Sequence, residues 1–194
     1  MRLYGCRVRD QLWVAATEHP FVLGVRDGTV PAASFDRWLV QDYLFVGDLL
    51  WFQARLLARA SRAGQTVLAG GCVAVVAELD WFTGMAGQRG LDLEQDRLPG
   101  TRQYREFMEE LDSAAFPTAV SALWALEQVY LDAWTLAGST VETEYREYAD
   151  HWTTPDFTAY VAALHALATP EDQPDTVHRV LEHEIGFWDT ALSI

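Results

Sequence analysis

The stretch "WLVQDYLFVGDLLWF", residues 38–52, reads as a helix with one residue out of place. At 3.6 residues per turn, Trp38, Phe45 and Leu49 fall on one apolar stripe. Asp42 falls on the same stripe, one turn after Trp38. Gln41 and Asp48 have a polar flank to turn to; Asp42 has none. A carboxylate facing a core costs several kcal/mol unless it is paired or hydrogen-bonded. Something must meet it there.

The pattern recurs twice. In "ALWALEQVYLDAW", residues 122–134, Glu127 stands in the middle of a stripe of Leu123, Trp124, Tyr130, Leu131 and Trp134. In "EHEIGFWDTAL", residues 182–192, Glu184 stands among Val180, Leu181, Phe187 and Trp188. Three helices thus carry one acid each on the face they should bury, with no inward Arg to pair it. A shared polar pocket explains this better than three separately satisfied core acids. Aromatic neighbours such as Phe45 and Tyr130 suit a flat ligand held by stacking. The acids suit a ligand that presents N–H donors or accepts protons, and close acids raise one another's pKa.

Composition narrows the class. The 194 residues are half hydrophobic and include eight Trp, which fits one globular domain, residues 1–194, with a sizeable core. The formal charge is −14, so a phosphate backbone is repelled and nucleic acid is not an expected partner. Every basic residue is Arg, since the sequence contains no Lys. That excludes a Schiff-base or phosphate-loop lysine. Cys6 and Cys72 are the only cysteines and have no metal-ligand spacing, so neither a disulfide framework nor a zinc site is expected. Arg7, Arg9 and Asp10 interrupt any leader-like start, and no uncharged apolar run of about 18 residues occurs. The expectation is a cytoplasmic protein with no membrane partner.

The rest of the chain reads as helices with short loops. The expected spans are Leu3–Thr17, Ser34–Ala60 with Ser34 as N-cap, and Thr66–Ala86, with a loop through Asp27-Gly28 and Pro31 before the second. Further helices follow Pro99-Gly100-Thr101 and Pro117-Thr118; "ETEYREYADHW", a helix after Pro155-Asp156 and Pro174–Leu192 complete the set. Strand alternation is absent, so the fold class is an all-α bundle. A di-metal carboxylate bundle would need Glu-x-x-His pairs, but Tyr130 and Phe187 stand three residues after Glu127 and Glu184. His19 precedes Pro20 at a helix end, which suits a cap better than a haem ligand. His151, His165, His178 and His183 lie among polar neighbours and read as solvated.

Taken together, "EHPFV" at 18–22 followed by "WLVQDYLF", then "ALWALEQVYLDAW" and "EHEIGFWDTAL", resemble the TenA family, also called thiaminase II. The likeness spans nearly the whole chain in order. It implies a single-domain helical bundle of the haem-oxygenase-like type without haem or other cofactor, assembling as a homodimer or homotetramer. It also implies an aminopyrimidine pocket. Asp42 matches the family's pyrimidine-binding aspartate, Glu184 its general acid/base, Tyr104 a pocket tyrosine, and Tyr145 the tyrosine of the Y-x-x-W-I-x-x-Y block.

Departures from the better-known branch are equally informative. That branch carries an active-site cysteine where this chain reads "SALWALEQVY", with Glu127 and no Cys. Phe45 and Trp152 stand where it has tyrosines. The glutamate-type branch fits better, with Cys72 a small buried filler. The resemblance therefore implies hydrolysis of 4-amino-5-aminomethyl-2-methylpyrimidine, or of its N-formyl form, to the hydroxymethyl alcohol. Glu184 is expected as acid/base and Glu127 as its partner on water or the amine; Asp42, Tyr104, Phe45, Tyr130, Tyr145 and Trp152 are expected to bind substrate, with no metal. The alternatives are a non-catalytic pyrimidine-binding or regulatory protein, and a thiaminase acting on thiamin itself.

Overall fold

The computed structural model describes residues 11–140 and 144–193. Among them the chain forms nine α-helices and one 3₁₀ turn, in the order α1 (Gln11–Thr17), α2 (Pro20–Asp27), α3 (Ala32–Arg59), α4 (Arg62–Arg89), α5 (Pro99–Ser113), α6 (Phe116–Ala137), α7 (Arg146–Trp152), α8 (Pro155–Leu167) and α9 (Pro174–Leu192), with the turn at Pro170–Asp172. The all-α expectation holds. Leu3–Asp10, and with them Cys6, lie outside the described residues.

Two long helices set the frame. α3 and α4 run against each other more extensively than any other pair, and α5 closes over α3. α6 crosses the middle, packed on α8, α9 and α2, while α9 also meets α5, α3 and α1. The stripe of α3 is buried as its period requires: Trp38, Leu49, Phe52 and Leu56 are at most 4% exposed.

Helix ends explain most differences from expectation. Residues 20–27 are helical because Pro20 sits at the first helical position and His19 caps it, its Nδ1 accepting from the Phe21 N–H at 3.2 Å. Gly28, in the left-handed region at φ 67°, stops that helix. α3 then starts before Ser34, because the Pro31 carbonyl already accepts from the Ser34 and Phe35 N–H groups. Ser34 is thus buried inside the first turn and is not the cap. Ser61 caps α4 four residues earlier than expected, accepting from the Gly64 N–H.

The polar flank of α3 is not solvent either. Gln41 and Asp48 are both buried, covered by the segment that joins α4 to α5. The Gln41 amide donates to the Asp96 carbonyl and accepts from the Leu98 N–H, while Asp48 takes a two-pronged pair from Arg97. Two histidines are drier than their neighbours in sequence suggest. His151 stacks on Trp81 at 3.9 Å, and burial pushes its pKa down to about 4. His183 lies on Phe107 and Tyr104, with its pKa lowered mainly by burial.

α4 is the exception to tidy burial. Its Val73 and Val76 are 72% and 49% exposed, and Trp51 on α3 is 44% exposed. Among the described residues it is also the one helix long and apolar enough, by length and composition, to cross a membrane.

Candidate active site

Four carboxyls converge between these helices, one each from α3, α4, α6 and α9. Asp42, Glu127 and Glu184 are 1%, 5% and 2% exposed, so the helical period placed all three inward as read. Glu78 of α4 is the fourth. Asp42 feels the charges of Glu78 and Glu184, and Glu127 feels those same two, which makes the four one electrostatic unit. No Arg or His counts among the groups that shift any of them.

Three of the four are held by an aromatic donor from another helix. The Tyr130 hydroxyl on α6 donates to Asp42 Oδ2. The Tyr104 hydroxyl on α5 donates to Glu184 Oε2 at 3.3 Å. The Trp152 indole N–H at the end of α7 donates to Glu78 Oε1 at 2.6 Å. Glu127 instead lies within electrostatic reach of the Tyr160 hydroxyl on α8. Asp42 Oδ1 and Glu184 Oε1 are buried with no hydrogen-bond partner. An unmet buried acceptor costs about 1–3 kcal/mol, more when charged.

Burial therefore sets the protonation. It raises Asp42 well above the usual carboxylate range, against the lowering effect of Tyr130 and helped by Glu78 and Glu184. Burial likewise lifts Glu184 to about 8, with Tyr104 opposing. Glu127 reaches about 8 through burial and the charges of Glu78 and Glu184. Glu78 rises only to about 7, because the Trp152 N–H opposes a burial that is incomplete at the surface but dense around its carboxyl. Near neutral pH the cluster holds both protonated and ionised acids, the mixture that acid/base chemistry needs.

Aromatic rings form the walls. Tyr130 stacks on Trp188 at 5.7 Å and meets Trp152 edge-on at 5.3 Å. Phe45 packs against Tyr104 at 4.8 Å and Phe187 at 5.5 Å. Close helix approach fixes these rings. A Cβ at Gly100 would sit 2.3 Å from Thr190 Oγ1, so only glycine brings α5, one turn before Tyr104, this near α9. Gly71 does the same for Tyr160, whose hydroxyl would lie 2.5 Å from an added Cβ.

Seven of the eight residues singled out from sequence lie at or around this cluster. Tyr145 lies apart from it. Its ring is 4.1 Å from Phe35, and its hydroxyl, raised to about 12 chiefly by burial, neighbours Glu144, Arg89 and Asp36. Cys72 is half-buried rather than a fully buried filler, and burial raises its thiol pKa, the opposite of what activates a nucleophile. The sequence reading missed Glu78 and Tyr160. For Glu78 a signal existed: it stands between the buried Val75 and Phe82 at helical spacing, as the other three acids stand on their stripes.

Asp42 should anchor whatever binds here. Asp42→Asn can set an amide N–H where the carboxyl's unpartnered oxygen would accept, and a buried polar group left unmet costs about 1–3 kcal/mol. A loss of affinity of that size for 4-amino-5-hydroxymethyl-2-methylpyrimidine, read by calorimetry, is expected. Unchanged affinity would make Asp42 a core acid satisfied by Tyr130 alone.

Known proteins resemble this chain in sequence and fold. A sequence model of the TENA/THI-4/PQQC family matches residues 8–193. A Glycine max protein named "Probable bifunctional TENA-E protein" is 32% identical over 202 residues, covering 93% of this chain and 88% of the relative. Among solved structures, a TenA homologue from Pyrococcus furiosus is 25% identical with a TM-score of 0.84, covering 93% of this chain and 94% of its own. A TenA family transcription regulator from Silicibacter sp. TM1040 shares the fold at 23% identity, with a TM-score of 0.88 and coverage of 95% and 93%.

Proposed function

Because this chain belongs to the TENA/THI-4/PQQC family, we propose that it hydrolyses an aminopyrimidine, replacing the amine of 4-amino-5-aminomethyl-2-methylpyrimidine by a hydroxyl. One observation carries the reading. Asp42 Oδ1 and Glu184 Oε1 are two unpartnered buried carboxyl oxygens in a site walled by aromatic rings, and among the described residues no cation shifts either acid. A 4-aminopyrimidine offers an N–H donor to the first and a basic leaving nitrogen to the second, and its flat ring suits the walls.

The chemistry divides between acids. Asp42, steadied by Tyr130, orients the ring. Glu184, protonated near neutral pH, gives its proton to the departing amine, while a second carboxylate removes one from water. Among the described residues no thiol is activated for covalent addition to the pyrimidine, since α6 carries Glu127 in the nucleophile region and burial raises the Cys72 thiol pKa. Thiamin cleavage, which a departing soft nucleophile assists, is therefore the slower reaction.

The test is a panel of the aminomethyl pyrimidine, its N-formyl derivative and thiamin, assayed by kcat/KM with and without thiol alkylation. The amine or the formamide should lead, and alkylation should leave that activity intact. Faster thiamin cleavage that alkylation abolishes would point to Cys72 instead. Tight binding of the hydroxymethyl product without turnover of any substrate would make this a binding protein.

A homo-oligomer is part of the same proposal. Val73 and Val76 on α4 and Trp51 on α3 are exposed large apolar side chains on a chain of formal charge −14, which itself opposes non-specific association. Light scattering at several concentrations should give a mass above that of one chain. A monomer throughout would count against it.

A further inference from the structure

We infer that Glu78, held by the Trp152 indole N–H, is the carboxylate that activates water, a role the sequence alone suggested for Glu127. The inference deepens the hydrolase reading and rests on it. Three features fit Glu78 to this role. Its carboxyl receives a fixed N–H bond at 2.6 Å, which favours the charged form a base must have. Its residue is the one of the four that is only half-buried, with the carboxyl end lying inward. It also faces the rest of the cluster: Asp42, Glu127 and Tyr160 all feel its charge.

The surroundings reinforce the assignment. α3 presents Asp42 to Glu78, α6 presents Glu127, α8 presents Tyr160 and α7 presents Trp152, while Glu184 on α9 acts on Asp42 and Glu127. None of these is a cation. Burial raises Glu78, Glu127 and Glu184 alike, and at Glu78 the Trp152 N–H opposes that rise by holding the charged form that a base must have. Trp152 is then a positioning residue as well as a wall, because its ring also packs on Trp134 at 4.7 Å and on Tyr130.

The step balances. The Glu78 carboxylate takes a proton from water, and the water oxygen's electron pair forms the C–O bond at the 5-methylene carbon. The C–N bond breaks as that bond forms, and its pair leaves on nitrogen, which accepts the Glu184 proton. Amine and water become alcohol and ammonia. Glu78 ends protonated and Glu184 ionised, and one proton exchanged through solvent restores both.

Two variants and two readouts test this. Glu78→Gln should lower kcat by about 10²–10⁴ and abolish the rising limb of the pH–rate profile, with hydroxymethylpyrimidine affinity nearly unchanged. Trp152→Phe keeps the ring but removes the donor that lowers the Glu78 pKa, so the rising limb should move to higher pH. Separately, the Trp152 indole N–H resonance in ¹⁵N-labelled wild type should shift with a midpoint near 7, and Glu78→Gln should remove that shift. A wild-type pH profile in both variants, or an indole titration that persists without Glu78, would overturn the assignment. Should wild type release no amine from any substrate, the hydrolase reading fails, and the indole titration still decides whether Glu78 is the first acid to ionise. A Glu78→Gln chain that does not fold leaves Trp152→Phe to decide.

Discussion

Glu184→Gln is expected to lower turnover of the aminomethyl pyrimidine by about 10²–10⁴, the usual contribution of a positioned proton donor. Glutamine fills the same volume and its carbonyl still accepts from the Tyr104 hydroxyl, so the packing of α9 on α5 has no reason to change. What disappears is the proton that Glu184, lifted to about 8 by burial, carries near neutral pH. The departing nitrogen then leaves without neutralisation, and the loss falls on kcat rather than on KM, because binding runs through Asp42 and the aromatic walls. The same substitution removes one of the two charges that raise Glu127, so the falling limb of the pH–rate profile should move as well as shrink. Near-normal amine release by a variant with a wild-type circular dichroism spectrum would take Glu184 out of the mechanism.

Much of this site is legible in the chain before any coordinates. A helix that buries one stripe must place every residue on that stripe inward, so Asp42, Glu127 and Glu184 were marked by phase alone. α9 falls at Pro174–Leu192 as its proline start and apolar period require. The elements that stayed hidden depend on contacts distant in sequence. Gln41 and Asp48 look solvated until the segment before α5 folds over them and supplies the Asp96 carbonyl and Arg97. α4 hides Glu78 because its small residues blur the apolar phase: Gly70, Gly84 and Gly87 face open space on a helix whose exposed side is itself apolar. Tyr145 matched a pocket tyrosine by resemblance, yet the ring is drawn to Phe35, where Arg89 and Asp36 pair at 2.6 Å. No local pattern predicts that pairing.

A cluster of unpaired acids also leaves a thermodynamic signature. Without ligand, the protein should become more stable as pH falls from about 9 to about 6, opposite to a protein whose buried carboxylates are salt-bridged. Glu78, Glu127 and Glu184 titrate at about 7, 8 and 8 in the fold, against an ordinary value of 4.5. Between those values the folded chain holds protons that the unfolded chain has released, so stability is full below the ordinary value and is lost as pH rises through 7 and 8. One pKa unit corresponds to about 1.4 kcal/mol, so three coupled groups amount to an effect on the order of several kcal/mol. At this chain length that is a shift in Tm of about 10 °C or more. Surface carboxylates act in the other direction but in another range. Asp27 and Asp112, lowered by their bonds to Arg26 and Arg55, withdraw support only as pH falls below the ordinary carboxylate range, which puts the maximum at about pH 5–6. Melting curves from pH 5 to 9 decide the matter, with Glu127→Gln and Glu184→Gln alongside. Each variant removes an ionisation the fold resists, so at pH 9 each should melt above wild type while losing activity, the trade expected where a site is kept strained for its chemistry. A Tm that holds level or rises from pH 6 to 9 would mean that these acids are already compensated in the folded chain, and the case for a ligand that meets them would fall with it.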